Sequence, residues 1–204
     1  VMKILFGTSN AHKIHEVKDI FREKKLDVEL LSLKDMEKQY DEPLEDGKTF
    51  LDNAVIKAKY YYEKYHMTVI ADDSGLEVDA LNGMPGVFSA RYASTTTHNA
   101  SSSDNRKKLL KELENVDNRD AHFTCVVVYF DGANLVSSTG YVNGVITTKE
   151  IGDNGFGYDS LFYLPSFGKT MAEIDEIEKN KVSHRGNAVD SLLNILTKKH
   201  IILS

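Results

Sequence analysis

Apolar positions recur along the chain with two periods, one close-set and one helical. Over residues 3–8 they run almost unbroken, as a buried strand requires, and Ile14, Val17 and Phe21 then return at helical spacing. The order strand, polar turn, helix is followed by a second strand over 28–33. Thr49 with Asp52 has the form of a capping box, and Phe50, Ala54, Ala58 and Tyr61 mark one face of the helix it opens. Residues 67–71 read as a short buried strand ending in the turn-forming Asp72-Asp73-Ser74-Gly75. Leu109, Leu110 and Leu113 give a helix over 103–113. Residues 121–130, rich in valine and aromatics, form a strand, and Asp131-Gly132 turns it back into 135–146 as a hairpin. A last strand is expected over 160–164, then a short helix capped by Thr170 and Glu173, and a final one carrying Ala188, Leu192, Ile195 and Leu196. Strands and helices alternate early around a central hairpin, which predicts an α/β fold with a mixed sheet.

Composition narrows this without redirecting it. The 204 residues include only three prolines and no repeat, linker or low-complexity stretch, so 1–204 is read as a single domain. No apolar run approaches the ~20 residues of a membrane span. Val1-Met2-Lys3-Ile4-Leu5-Phe6 meets Gly7 and polar residues too soon for a signal peptide, so the Asn99-Ala100-Ser101 sequon is not expected to be glycosylated. The single cysteine, Cys125, excludes an internal disulfide, suits a reducing cytoplasm and reads as buried filler. A net charge of −6 and a pI near 5.7 argue against a nucleic-acid-binding surface. They leave room for a small anion held by a few focused cations.

Four stretches carry candidate chemistry. Thr8-Ser9-Asn10-Ala11-His12-Lys13 lies where a strand becomes a helix, and backbone N–H groups, hydroxyls and one lysine there suit phosphate oxygens. It is not a P-loop: His12 stands for the required glycine and Ile14 for the Ser/Thr. A solvated turn with an exposed lysine has the same sequence. Asp72 and Asp73, on a turn beyond a strand end, can hold Mg²⁺ or accept a proton from water, or can simply make the turn. In Gly155-Phe156-Gly157-Tyr158-Asp159-Ser160 the dinucleotide fingerprint fails at Ser160, and aromatics between glycines can stack on a planar base or plug the core. Lys179, His184 and Arg185 lie close together before the last helix, as an anion and base reader or as a solvated surface. His66, His98, His122 and His200 have no metal-ligand spacing, nor do His12 and His15.

Taken together these stretches resemble the inosine triphosphate pyrophosphatase family, also called the Ham1 or non-canonical purine NTP pyrophosphatases. The likeness lies in T-x-N-x-x-K (Thr8, Asn10, Lys13), G-x-T-F-x-x-N-A-x-x-K-A (47–58), ADDSGLEVDALNGMPGVFSARYA (71–93), GFGYD (155–159) and EK-x3-SHRG (178–186). It implies an elongated, two-lobed α/β fold with a central mixed sheet flanked by helices and a cleft between the lobes. It also implies Mg²⁺ dependence and a cytoplasmic homodimer whose partner is a small-molecule purine nucleoside triphosphate (ITP, dITP or XTP), with neither nucleic acid nor membrane. Water would attack the α-phosphorus and release pyrophosphate.

Carried over by residue, Asp73 is the general base and a metal carboxylate. Ser74 contacts substrate, while Thr8, Ser9, Asn10, Lys13 and Lys57 grip the phosphates. Phe156 stacks on the base in a pocket shaped by Gly157, Tyr158 and Asp159, and Lys179, His184 and Arg185 complete the site. Arginine offers only donors, so Arg185 would favour a 6-keto purine over adenine. The sequence departs from the family at His12, Ser94 and Ser160. It also has Leu44-Glu45-Asp46-Gly47 where E-E-x-G is common, which makes Glu45 the second metal carboxylate, with Glu42 as the other candidate. A non-catalytic nucleotide sensor and a pyrophosphatase for modified pyrimidine triphosphates are the rival readings.

Overall fold

In a computed structural model, which describes residues 1–202, the strand-like runs become seven strands. They are β1 (Met2–Phe6), β2 (Val28–Ser32), β3 (Val69–Val78), β4 (Asp120–Phe130), β5 (Leu135–Ile146), β6 (Phe162–Leu164) and β7 (Lys169–Thr170). The sheet order is β2-β1-β3-β4-β5-β6-β7. β1 runs parallel to β2 and β3, whereas β6 is antiparallel to β5 and β7, so the sheet is mixed as the sequence predicts. The helices are α1 (Ala11–Glu23), α2 (Phe50–Tyr65), α3 (Ser102–Glu112), α4 (Glu176–Val182) and α5 (His184–Lys198). None, among the described residues, is long and apolar enough to cross a membrane.

The chain divides into two compact units. The first comprises Val1–Asp73, Cys125–Gly140 and the chain from His184 onward. Its core packs Val17 and Phe21 of α1 and Ala188, Val189, Leu192, Leu193 and Leu196 of α5 with Ile4, Phe6, Ile70, Val127 and Tyr129 of the strands. Burial of each valine, leucine, isoleucine or phenylalanine here stabilises by about 1.5–3 kcal/mol, so the apolar stripes of α1 and α5 decide where those helices lie. Cys125 belongs to this core and is fully buried, as expected of filler. Gly140 on β5 shows how near α5 comes: a Cβ there would lie 2.2 Å from the His184 carbonyl oxygen and 2.4 Å from Ala188 N. Only glycine admits the start of α5 at that distance.

The second unit comprises Ser74–Thr124 and Tyr141–Ser183. Leu76, Leu109, Leu113, Phe123, Ile146, Leu161, Phe162 and Met171 form its core, with the Phe123 and Phe162 rings 4.4 Å apart between centroids.

Two sequence expectations are corrected. Asp72-Asp73-Ser74-Gly75 is no turn: β3 runs straight through it to Val78. Aspartate and glycine are poor strand formers, but the charge of Asp72 is met by cations from distant segments, and that tertiary compensation overrides local preference. Nor does Thr170 cap a helix. Its N–H donates to Glu173 Oε1 at 2.9 Å as β7 ends, and the short helix begins at Glu176 under Asp175, whose side chain accepts Glu178 N–H at 2.8 Å. Residues 160–164 also differ slightly, since Asp159–Leu161 is a 3₁₀ turn and the strand follows it.

Candidate active site

In the first unit, the polar turn after β1 is built as a helix N-terminus. Asn10 is the N-cap of α1, its Oδ1 accepting from His12 N (3.0 Å) and Lys13 N (3.2 Å), and Thr8 Oγ1 accepts Asn10 N–H at 3.1 Å. Ser9, exposed beside them, donates to Glu42 Oε1 at 3.1 Å. The first turn of α1 carries no acidic side chain. The positive end of its dipole suits an anion.

Lys13 leaves that turn toward β3, where its Nζ lies 3.1 Å from Asp72 Oδ2. The same oxygen accepts Arg185 Nε at 3.1 Å, and Arg185 Nη1 donates to Glu16 Oε2 at 2.9 Å. The Cys125 thiol completes the surroundings of Asp72 at 3.7 Å. Burial alone would raise the Asp72 pKa. Lys13, Arg185 and Lys57 outweigh it and hold the carboxyl well below the usual range. Burial likewise opposes the charge on Arg185, but Asp72 and Glu16 keep it firmly protonated. Arg185 is 3% exposed, and Nε and Nη1 are committed to these two carboxylates. His184, the first residue of α5, is partly buried.

Asp73, one residue on, meets α2 instead. Its Oδ2 accepts Asn53 Nδ2 at 3.1 Å. Burial pushes its pKa up and the Glu45 charge adds to this, while Lys57, Lys13 and the Asn53 bond oppose; the result is about 6. Lys57 is buried on α2 with its Nζ 3.1 Å from Glu45 Oε1. Burial works against its charge, but Asp72, Glu45 and Asp73 together hold its pKa up. Glu45 is thus the acidic neighbour that acts on Asp73, whereas Glu42 bonds Ser9.

In the second unit, Ser74 follows on β3, partly buried. The Phe156-to-Asp159 loop is pinned at every residue. Asp159 Oδ2 accepts Phe156 N–H (3.0 Å) and the Lys179 ammonium (2.5 Å), and Lys179 Nζ sits 4.7 Å from the Phe156 ring centroid. Tyr158, buried, donates its hydroxyl to Ser89 O at 2.6 Å. Arg106 of α3 donates from Nη1 to Gly157 O at 2.8 Å and pairs through Nε with Glu150. Phe156 keeps 41% of its surface exposed, an apolar ring held out by a rigid loop.

Sequence reasoning offered Asp72 only the same carboxylate roles as Asp73, not its pairing with Lys13 and Arg185, and missed Asn53, Glu16 and Arg106. Asn53 lies four residues before Lys57, one helical turn away on the same face, and that spacing was a usable signal. For Arg106 no local pattern existed.

A family model described as the Ham1 family matches residues 4–195. A "dITP/XTP pyrophosphatase" of Listeria monocytogenes is 47% identical, covering 93% of this chain and 92% of its own length. One of the same name from Oceanobacillus iheyensis is 42% identical, covering 93% and 95%. The solved Ham1 protein of Staphylococcus aureus has a TM-score of 0.85 at 39% identity, covering 97% of this chain and 99% of its own.

Proposed function

Because the chain belongs to the Ham1 family, we propose that it hydrolyses non-canonical purine nucleoside triphosphates (ITP, dITP, XTP) to the monophosphate and pyrophosphate. The carrying observation is Asp73, a carboxylate on β3 whose Oδ2 is held by Asn53, whose pKa burial pushes to about 6 and on which the charges of Lys57 and Lys13 act. A general base works best near its operating pH. Asp73 takes the proton of the attacking water, and Lys13 and Lys57 offset the charge that collects on the phosphates.

The residues also fit Mg²⁺. Among the described residues no cluster of three or more His, Cys, Asp or Glu is placed to cage a metal. Mg²⁺ needs no cage, since one or two carboxylates and the substrate's own phosphates hold it with water. Asp73 and Glu45, close enough for one charge to shift the other's pKa, would supply those carboxylates. The ion would polarise the phosphoryl group. Thr8, Ser9, Asn10 and the N-terminus of α1 receive phosphate oxygens, Ser74 adds a hydroxyl, and His184 and Arg185 at the start of α5 complete the substrate site. Phe156 stacks on the base, with Gly157, Tyr158, Asp159 and Lys179 fixing its ring. A cytoplasmic homodimer completes the proposal.

Pyrophosphate release from a panel of purine and pyrimidine triphosphates, with and without Mg²⁺, is the test. Turnover of ITP and XTP well above ATP and the pyrimidines supports the reading. Preference for a modified pyrimidine, or binding without turnover, replaces it.

A further inference from the structure

Asn53 has no task in the chemistry described above, yet it is 1% exposed and uses both ends of its carboxamide. Oδ1 accepts Gly47 N–H at 2.8 Å, and Nδ2 donates to Asp73 Oδ2 at 3.1 Å. The first bond fixes the second. A backbone N–H requires an acceptor, so the end turned to Asp73 must be the donor. Gly47 is held equally closely: a Cβ there would lie 2.7 Å from Asn53 Oδ1 and 2.5 Å from Asp52 Cβ. Two residues before Gly47 stands Glu45, paired with Lys57 one turn along α2 from Asn53. One buried amide therefore ties the backbone beside Glu45 to the carboxyl of Asp73.

We infer that Asn53 is a positioning residue that sets the orientation of Asp73 and its separation from the Glu45 loop. With Oδ2 occupied by a fixed donor, Oδ1 is the oxygen turned to water and metal. A pair of carboxylates that must share one small cation gains from such a constraint, because Mg²⁺ accepts little departure from octahedral geometry. Losing an outer partner of this kind typically lowers metal affinity or activity by about 10–100-fold. The inference rests on the pyrophosphatase reading and deepens it.

The test compares the parent with Asn53→Ala, which loses both bonds, and Asn53→Asp, which keeps an acceptor for Gly47 but presents no donor to an ionised Asp73. For each, kcat and KM for ITP are measured at saturating Mg²⁺, with a thermal melt to establish that the protein is folded. Mn²⁺ affinity is measured for the nucleotide-free parent and Asn53→Ala by electron paramagnetic resonance. Both variants should lose about 10–100-fold in kcat with KM within about threefold, and Asn53→Ala should bind Mn²⁺ about tenfold more weakly. A kcat within threefold of the parent in either folded variant overturns the inference. So does a rise in KM with unchanged Mn²⁺ affinity, which is what general loosening produces, and so does failure of both variants to fold. A parent that does not turn over ITP removes the pyrophosphatase reading instead, and the Mn²⁺ comparison still decides whether Asn53 holds the carboxylates.

Discussion

Asp73→Asn should abolish turnover and at the same time make the metal-free protein more stable. The carboxyl pKa rises from 3.8 to about 6 on folding, chiefly through burial. At 1.36 kcal/mol for each factor of ten, the ionised group disfavours the folded state by about 3 kcal/mol at pH 8. The sign follows from the order of the two values. Folding takes up a proton between about pH 4 and 6, so the penalty is complete above 6 and disappears below 4. Asparagine carries no charge to bury, and its Oδ1 can still accept the Asn53 donor. In a chelator at pH 8 the variant should therefore melt roughly 6–12 °C above the parent, and the gap should close as the pH is lowered toward 4. Saturating Mg²⁺ should narrow it as well, because the cation offsets the same charge. Turnover of ITP should fall by about 10²–10⁴, the usual worth of a general base. A variant that melts at or below the parent at pH 8 refutes the burial argument. One that retains activity within tenfold refutes the base.

Asp72→Asn should do the opposite. It takes the Asp72 charge away from Lys13 and from buried Arg185, which keeps its bond to Glu16, at a cost of about 3–5 kcal/mol seen as a lower urea midpoint. Because the folded pKa of Asp72 is depressed, its stabilisation is complete above the usual carboxylate range and lost only in acid, so this gap should persist at pH 5; an unchanged midpoint would defeat the pairing. Chelating divalent metal should stop pyrophosphate release, with Mg²⁺ restoring it and Ca²⁺ doing so poorly, and full activity in excess chelator would remove the metal from the proposal. Glu45→Gln should raise the Mg²⁺ needed for half-maximal rate, and an unchanged requirement moves the role to Glu42. Arg185→Ala should destabilise the fold, but the ITP-to-ATP ratio of kcat/KM cancels the folded fraction; a ratio within threefold of the parent shows that Arg185 serves Asp72 and Glu16 and does not read the base.

Much of the scaffold was legible because its determinants are local. The Thr49–Asp52 capping box forms as read, the Asn10 cap lies where the apolar period changes, and β5 has the bounds expected of the hairpin's return strand. What escaped was decided at a distance. Asp72 finds Lys13 at a separation of 59 residues and Arg185 at 113, so nothing near it announces that a strand can pass through paired aspartates. Thr170 and Glu173 do make their bond, but Asp175 supplies the cap that starts the helix. Arg106 reaches the Gly157 carbonyl across 51 residues and had no pattern to betray it.

The adjacent aspartates show how one strand can yield two chemistries from one residue type. Alternation along β3 turns successive side chains to opposite faces. Asp72 meets α1 and α5, which supply Lys13 and Arg185, whereas Asp73 meets α2, which supplies Asn53. The first is over-compensated and stays ionised in any working buffer, so it serves as a fixed anchor that sets the direction of Lys13. The second is under-compensated and titrates near neutrality, so it can exchange a proton with water. Environments that drive two carboxyls apart in this way are what assign acid–base roles in a site. Had both been paired like Asp72, no base would be available near pH 7; had both been left like Asp73, the buried charge would weigh twice on the fold. Since the side chains are identical, strand register makes the assignment: a one-residue slip of β3 would set Asp72 in the surroundings of Asp73 with Ala71 in its own former place, or Asp73 in those of Asp72 with Ser74 in its own.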